Sequence, residues 1–160
     1  MGKIEGKLKV KMLIDLGSEM CVMSHDLCEH AKGLLAVDTE IRWSIGSATS
    51  TMDRVFGVCH SMAVEVVGIK ILVPVFILEG GSQEFILGRT WDCLAHTQHD
   101  TSNQQDGSLY ISIMSLDDRK KATFGAVADR TDCDRDWVTI LHLEDNTSGE
   151  TCLGASLSNS

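Results

Sequence analysis

The sequence has no apolar run approaching the roughly 18 residues that a membrane-spanning helix needs, so no membrane partner is expected. Its first ten residues alternate lysines with single apolar residues, so they lack the continuous apolar core of a signal peptide. The expected location is therefore intracellular, cytoplasmic or nuclear. Gly6 stands where a myristoylation signal carries Ser or Thr. There is no basic excess either. Fourteen Lys and Arg face 23 Asp and Glu, a formal charge of −9, which argues against nucleic acid as a partner. The six cysteines include no CxxC pair, and they are too sparse for a secreted disulfide scaffold, so the thiols are read as reduced. Cys93, His96 and His99 have the spacing C-x2-H-x2-H, but buried thiols and surface imidazoles explain them better than a metal site. No metal and no cofactor are expected.

What is present is the composition of an ordinary globular chain, 43% apolar and 23% charged over 160 residues, enough for one domain and a tail. Leu8, Val10 and Met12 alternate with lysines, and the pattern then turns fully apolar through Leu13 and Ile14, so residues 7–14 read as a strand that enters the core. Ser24 suits a helix N-cap, with Asp26 and Glu29 in the first turns and Gly33 at the stop, for a helix over residues 25–32. From Ile41 to Leu78 the signals are β. One hairpin has its tip at residues 46–50, a second turns at Val67-Gly68, and Pro74 marks an edge or a bulge. Phe85-Ile86-Leu87 is a short buried strand. A short helix over residues 89–97 follows, with Trp91, Leu94 and Ala95 as its apolar side. Asp106-Gly107 and Asp117-Asp118 mark turns around strands at 109–114 and 122–124. Residues 127–160 hold seven acids and two bases, −5 of the −9, and are rich in Ser, Thr and Gly towards the end. They read as an acidic, mostly disordered tail in which residues 137–141 could form a strand or a docking segment.

Two segments carry chemistry. Leu13-Ile14 runs into Asp15-Leu16-Gly17-Ser18-Glu19, and about 70 residues later Phe85-Ile86-Leu87 runs into Gly88-Arg89-Thr90-Trp91. A glycine-bearing hairpin lies between them. Together they resemble the two signatures of the retroviral-type aspartic proteases (retropepsins), in particular those of gypsy-class retrotransposons of fungi. The resemblance covers residues 7–126. It implies an all-β fold, a retropepsin-like closed barrel with a flap hairpin and one or two short helices.

It also implies a site. Asp15 would be the catalytic carboxylate in an active-site loop of Leu16, Gly17 and Ser18. Gly17 would donate its N–H to the carboxylate, and Ser18 would bond the outer carboxylate oxygen. Glu19 and Arg89 would form a supporting ion pair, Ile86, Leu87 and Gly88 the second signature, and Gly46, Ser47, Ala48 and Thr49 the flap. Peptide hydrolysis of this type needs two carboxylates sharing one proton, one as acid and one as base. The chain has one such motif, so a homodimer acting on a polypeptide substrate is expected, with polyprotein processing as its role. Leu16 departs from the family, which places Thr or Ser there to brace the two loops across the dimer axis. Leucine neither donates nor accepts, so impaired activity is expected. The alternative is a catalytically inactive retropepsin-like module for dimerisation or peptide binding.

Overall fold

The computed structural model describes residues 2–42, 44–46, 52–80, 84–100, 109–115, 119–128, 137–139 and 156–157. The chain opens with a hairpin, β1 (Gly2–Ile4) and β2 (Leu8–Val10), turned by Glu5 and Gly6 with φ of 50° and 66°. Two successive positive φ values make the mirror-image turn that matches strand twist. The strand expected over residues 7–14 is in fact two, β2 and β3 (Leu13–Asp15), parted at Lys11-Met12. Because β1 also pairs with the long strand β6, the sheet begins at Gly2, ahead of the expected boundary at residue 7.

β4 (Cys21–Ser24) leads directly into α1 (His25–His30), where Ser24 Oγ accepts the Leu27 N–H at 3.2 Å as the expected N-cap. β5 (Ser44–Gly46) and β6 (Met52–Val66) form the first expected hairpin, with Gly46 opposite Met52. Ser47, Ala48 and Thr49 lie outside the described residues. β6 turns through Val67 and Gly68 into β7 (Ile69–Leu78), with Val66 opposite Ile69.

Pro74 falls at a break in both of β7's ladders. Cys59 pairs with Val75 and Met62 with Val73, so His60 and Ser61 bulge opposite Pro74. On the other edge, β4 begins its pairing only at Val75. The bulge reading of Pro74 is thus the correct one, because a residue without an N–H fits where neither neighbour bonds it.

β8 (Phe85–Leu87) precedes α2 (Arg89–Leu94), then come β9 (Gln98–Asp100), β10 (Leu109–Ser115), β11 (Lys120–Ala128), β12 (Trp137–Thr139) and β13 (Ser156–Leu157). The helix is three residues shorter at its end than residues 89–97. Its apolar side is Trp91 and Ala95, both fully buried, whereas Leu94 is 45% exposed, contrary to expectation. The chain leaves the helix at Ala95, which caps it, and His96 follows with φ of 46°. The expected boundary between 126 and 127 cuts through β11, so the first tail residues belong to a strand.

Strands follow the order β2-β1-β6-β7-β4-β8-β3-β12-β13-β11-β10-β9, with β5 on β6. This path curls into a half-barrel, and among the described residues its end strands, β2 and β9, are not paired with each other. Its inside holds the core, with Ile14, Met23, Phe85, Leu87, Trp91 and Phe124 all buried. Among the described residues no helix is long and apolar enough to cross a membrane.

Candidate active site

The site is built where two signature strands become neighbours. β3 and β8 pair in parallel, Leu13 opposite Ile86 and Ile14 opposite Leu87, and β4 closes the other edge of β8 in antiparallel register. Ile14 and Leu87 are fully buried and anchor both strands in the core. Asp15 is the last residue of β3, so its half-exposed carboxylate emerges where the core ends. Gly17 donates its N–H to Asp15 Oδ1 at 2.9 Å, and Ser18 N–H reaches the Asp15 carbonyl at 3.1 Å, which closes a tight turn. The expected glycine contact to the carboxylate is present.

Ser18 does something else than expected. Its hydroxyl donates to the Met20 carbonyl at 2.8 Å, within its own turn, rather than to the carboxylate. Short polar side chains commonly satisfy nearby backbone groups in this way.

The expected ion pair between Glu19 and Arg89 is not among the salt bridges formed by the described residues, and both side chains are exposed. Backbone bonds join the two segments instead. Arg89 N–H donates to the Ser18 carbonyl at 2.8 Å. Thr90 clasps the Glu19 carbonyl with its N–H at 3.1 Å and its hydroxyl at 2.8 Å. Two long exposed side chains gain little by pairing in water, whereas these backbone groups need partners to leave it. Thr90 was not singled out by sequence, although a Thr in the first turn after the second signature is the available signal.

Gly88 explains why the second signature carries glycine. A Cβ there would overlap the Met20 carbonyl oxygen and stand 2.7 Å from the Ser18 carbonyl oxygen. The first loop therefore lies directly on the backbone of the second. Cys21 is packed at the same junction. Burial pushes its thiol up from 9.0, while the backbone N–H groups of Gly88 and Trp91 pull the other way.

Leu16 stands at the outer turn, 37% exposed, one of four large apolar side chains at the surface among the described residues. Of the flap expectation, Gly46 lies at the described end of β5. Of the C-x2-H-x2-H residues, Cys93 is exposed and His99 bonds Asp92 at 2.8 Å, where Thr97 also donates, so that cluster ties α2 to β9. β12 lies within residues 137–141, the segment read as a strand or a docking segment. β12 pairs with the free edge of β3, placing Trp137 opposite Asp15.

No family profile and no curated protein matches the chain. Among solved structures, the chain is similar to the crystal structure of the retroviral protease-like domain of Ddi1 from Leishmania major. The likeness has a TM-score of 0.56 at 19% identity and covers 72% of this chain and 86% of that one. The fold is retropepsin-like. In a retropepsin-like fold the elements found here have a common logic. Two parallel strands carry the two signatures to one point, a helix after the second packs beneath, and a hairpin arm, β5–β6, extends from the same sheet.

Proposed function

We propose that this chain is one half of an aspartic endopeptidase whose two Asp15 carboxylates meet across a homodimer. The observation that carries this reading is the placement of Asp15. It ends a buried strand beside the second signature, accepts the Gly17 N–H, and keeps its carboxylate half-exposed at the end of the strand. In the dimer one carboxylate would hold the shared proton and polarise the scissile carbonyl, while the other takes a proton from the attacking water. The substrate would be a polypeptide in extended form under the β5–β6 arm. We further propose an intracellular role in processing the polyprotein of a gypsy-class retroelement.

A second reading is favoured by one residue. Leu16 puts an exposed apolar side chain where the hydroxyl brace is expected, which suits a catalytically silent module for dimerisation or peptide binding. Cleavage of a peptide library at mildly acid pH, with and without pepstatin, tests the two. The enzyme reading expects pepstatin-sensitive cleavage that is lost in Asp15→Asn, because an amide cannot cycle the shared proton. Cleavage retained in pure Asp15→Asn protein would remove Asp15 from the chemistry. Dimerisation without cleavage would leave the silent module.

A further inference from the structure

We infer that the outer edge of β3 is a strand-docking edge whose resident occupant is the chain's own Trp137–Thr139, and that this docking opposes the meeting of two Asp15 loops. The inference rests on the reading of Asp15 as half of a dyad.

One edge of the catalytic strand is taken by β8. The other is taken by β12, antiparallel, with Trp137 opposite Asp15, Val138 opposite Ile14 and Thr139 opposite Leu13. With β12 in place the catalytic strand has no open edge. Residues opposed in an antiparallel pair stand about 4.5–5.5 Å apart at Cα. Two carboxylates that share a proton must come to about 3 Å. A second chain's loop that approaches Asp15 on the side away from β8 meets the backbone of residue 137.

The occupant is short. It is three residues long, against the five or six of an ordinary strand, and it also pairs with β13. It is tethered to β11 in hairpin fashion, with Val127 opposite Thr139 and Ala128 opposite Val138. The intervening residues 129–136 read Asp-Arg-Thr-Asp-Cys-Asp-Arg-Asp, a polar connection with four acids and two bases. Among the described pairings, β12 is the strand that joins β3 to the β11–β10–β9 group. Its release would free both the edge of the catalytic strand and the flank of Asp15, while β3 keeps its bonds to β8.

The test uses the full chain carrying Val138→Pro. β12 has partners on both edges, so a proline there loses a bond whichever way the missing N–H pointed. Hydrogen exchange is read at the amides of residues 13–15 and of β6–β7, and dimerisation by sedimentation. The expected result is at least tenfold faster exchange at 13–15, unchanged β6–β7 amides, and dimerisation at least tenfold tighter than in the unaltered chain. A free peptide of residues 135–141 added to the variant should restore protection and weaken the dimer. If β6–β7 also opens in the variant, the milder pair Trp137→Gly with Val138→Gly makes the same comparison. Unchanged exchange at 13–15 would overturn the docking. Faster exchange with dimerisation unchanged or weaker would overturn the opposition and make β12 a support. Peptide cleavage on the same samples separates this inference from the enzyme reading. A tighter dimer that cleaves nothing keeps the inference and removes the enzyme.

Discussion

Gly17 and Gly88 follow neighbouring parallel strands, and each belongs to a signature of the site, yet the chain uses them in opposite ways. Around Gly88 there is no room. The backbone of Ser18 and Met20 fills the space that a side chain would need. Around Gly17 a Cβ would meet one neighbour, the Asp15 carboxylate oxygen at 3.1 Å. The β8 side of the site is thus fixed by steric contact inside one chain, while the β3 side turns outward with Leu16 exposed. In the proposed dimer, each subunit would finish the floor of the cleft and leave its rim to be completed by the other.

The largest test of this contrast is Gly88→Ala. The methyl group would press on backbone that cannot swing aside, so a loss of about 3 kcal/mol or more is expected in denaturant unfolding. Gly17→Ala should cost under about 1 kcal/mol, because a carboxylate can move by a few tenths of an ångström. Equal losses at both positions would break the comparison.

Leu16→Thr probes the outward side. A hydroxyl pair at the axis would add two bonds of about 1 kcal/mol each, enough to tighten dimerisation about tenfold in sedimentation. A weaker dimer would mean that two leucines brace the loops by apolar contact.

The buried junction should also show in pH. Burial raises the folded-state pKa of Cys21, so its contribution to stability is fully present below the unfolded value near 9.0 and is lost as pH rises beyond it. Unfolding measured from pH 7 to 10 should show this decline, and Cys21→Ala should flatten it in part, since Cys28 and Cys59 are shifted upward by burial too.

The smallest expected effect is at Glu19 and Arg89. A double-mutant cycle should give a coupling under about 0.5 kcal/mol, because the contact between the loops is made by backbone.

Much of this was legible from pattern. The alternation in Val64, Val66, Ile69 and Ile71 around Val67-Gly68 predicts a hairpin that the register reproduces, and Ser24 marks the start of α1. The two signatures meet because each ends an apolar strand. Less legible were β1 and β9, each three residues long with little alternation to show. Ser18 and the Glu19–Arg89 pair differ from expectation for a common reason. A resemblance carries side-chain roles across, while the local outcome depends on which backbone groups need partners. Leu94 failed because helical periodicity over six residues cannot say where the chain leaves the core.

Pro74 has a consequence for the distant hairpin arm. β6 runs fifteen residues from Met52 to Val66 and is fixed at its far end by the Val67-Gly68 turn. A slip of one residue along β7 would move the arm by about 3.3 Å and turn its core face outward. It would also bring an ordinary ladder partner against a proline that cannot donate. The single proline of the chain therefore works as a ratchet pawl: it allows one tooth of the β6–β7 ladder to engage, opposite His60 and Ser61, and so sets the reach of the arm that β6 carries towards Met52.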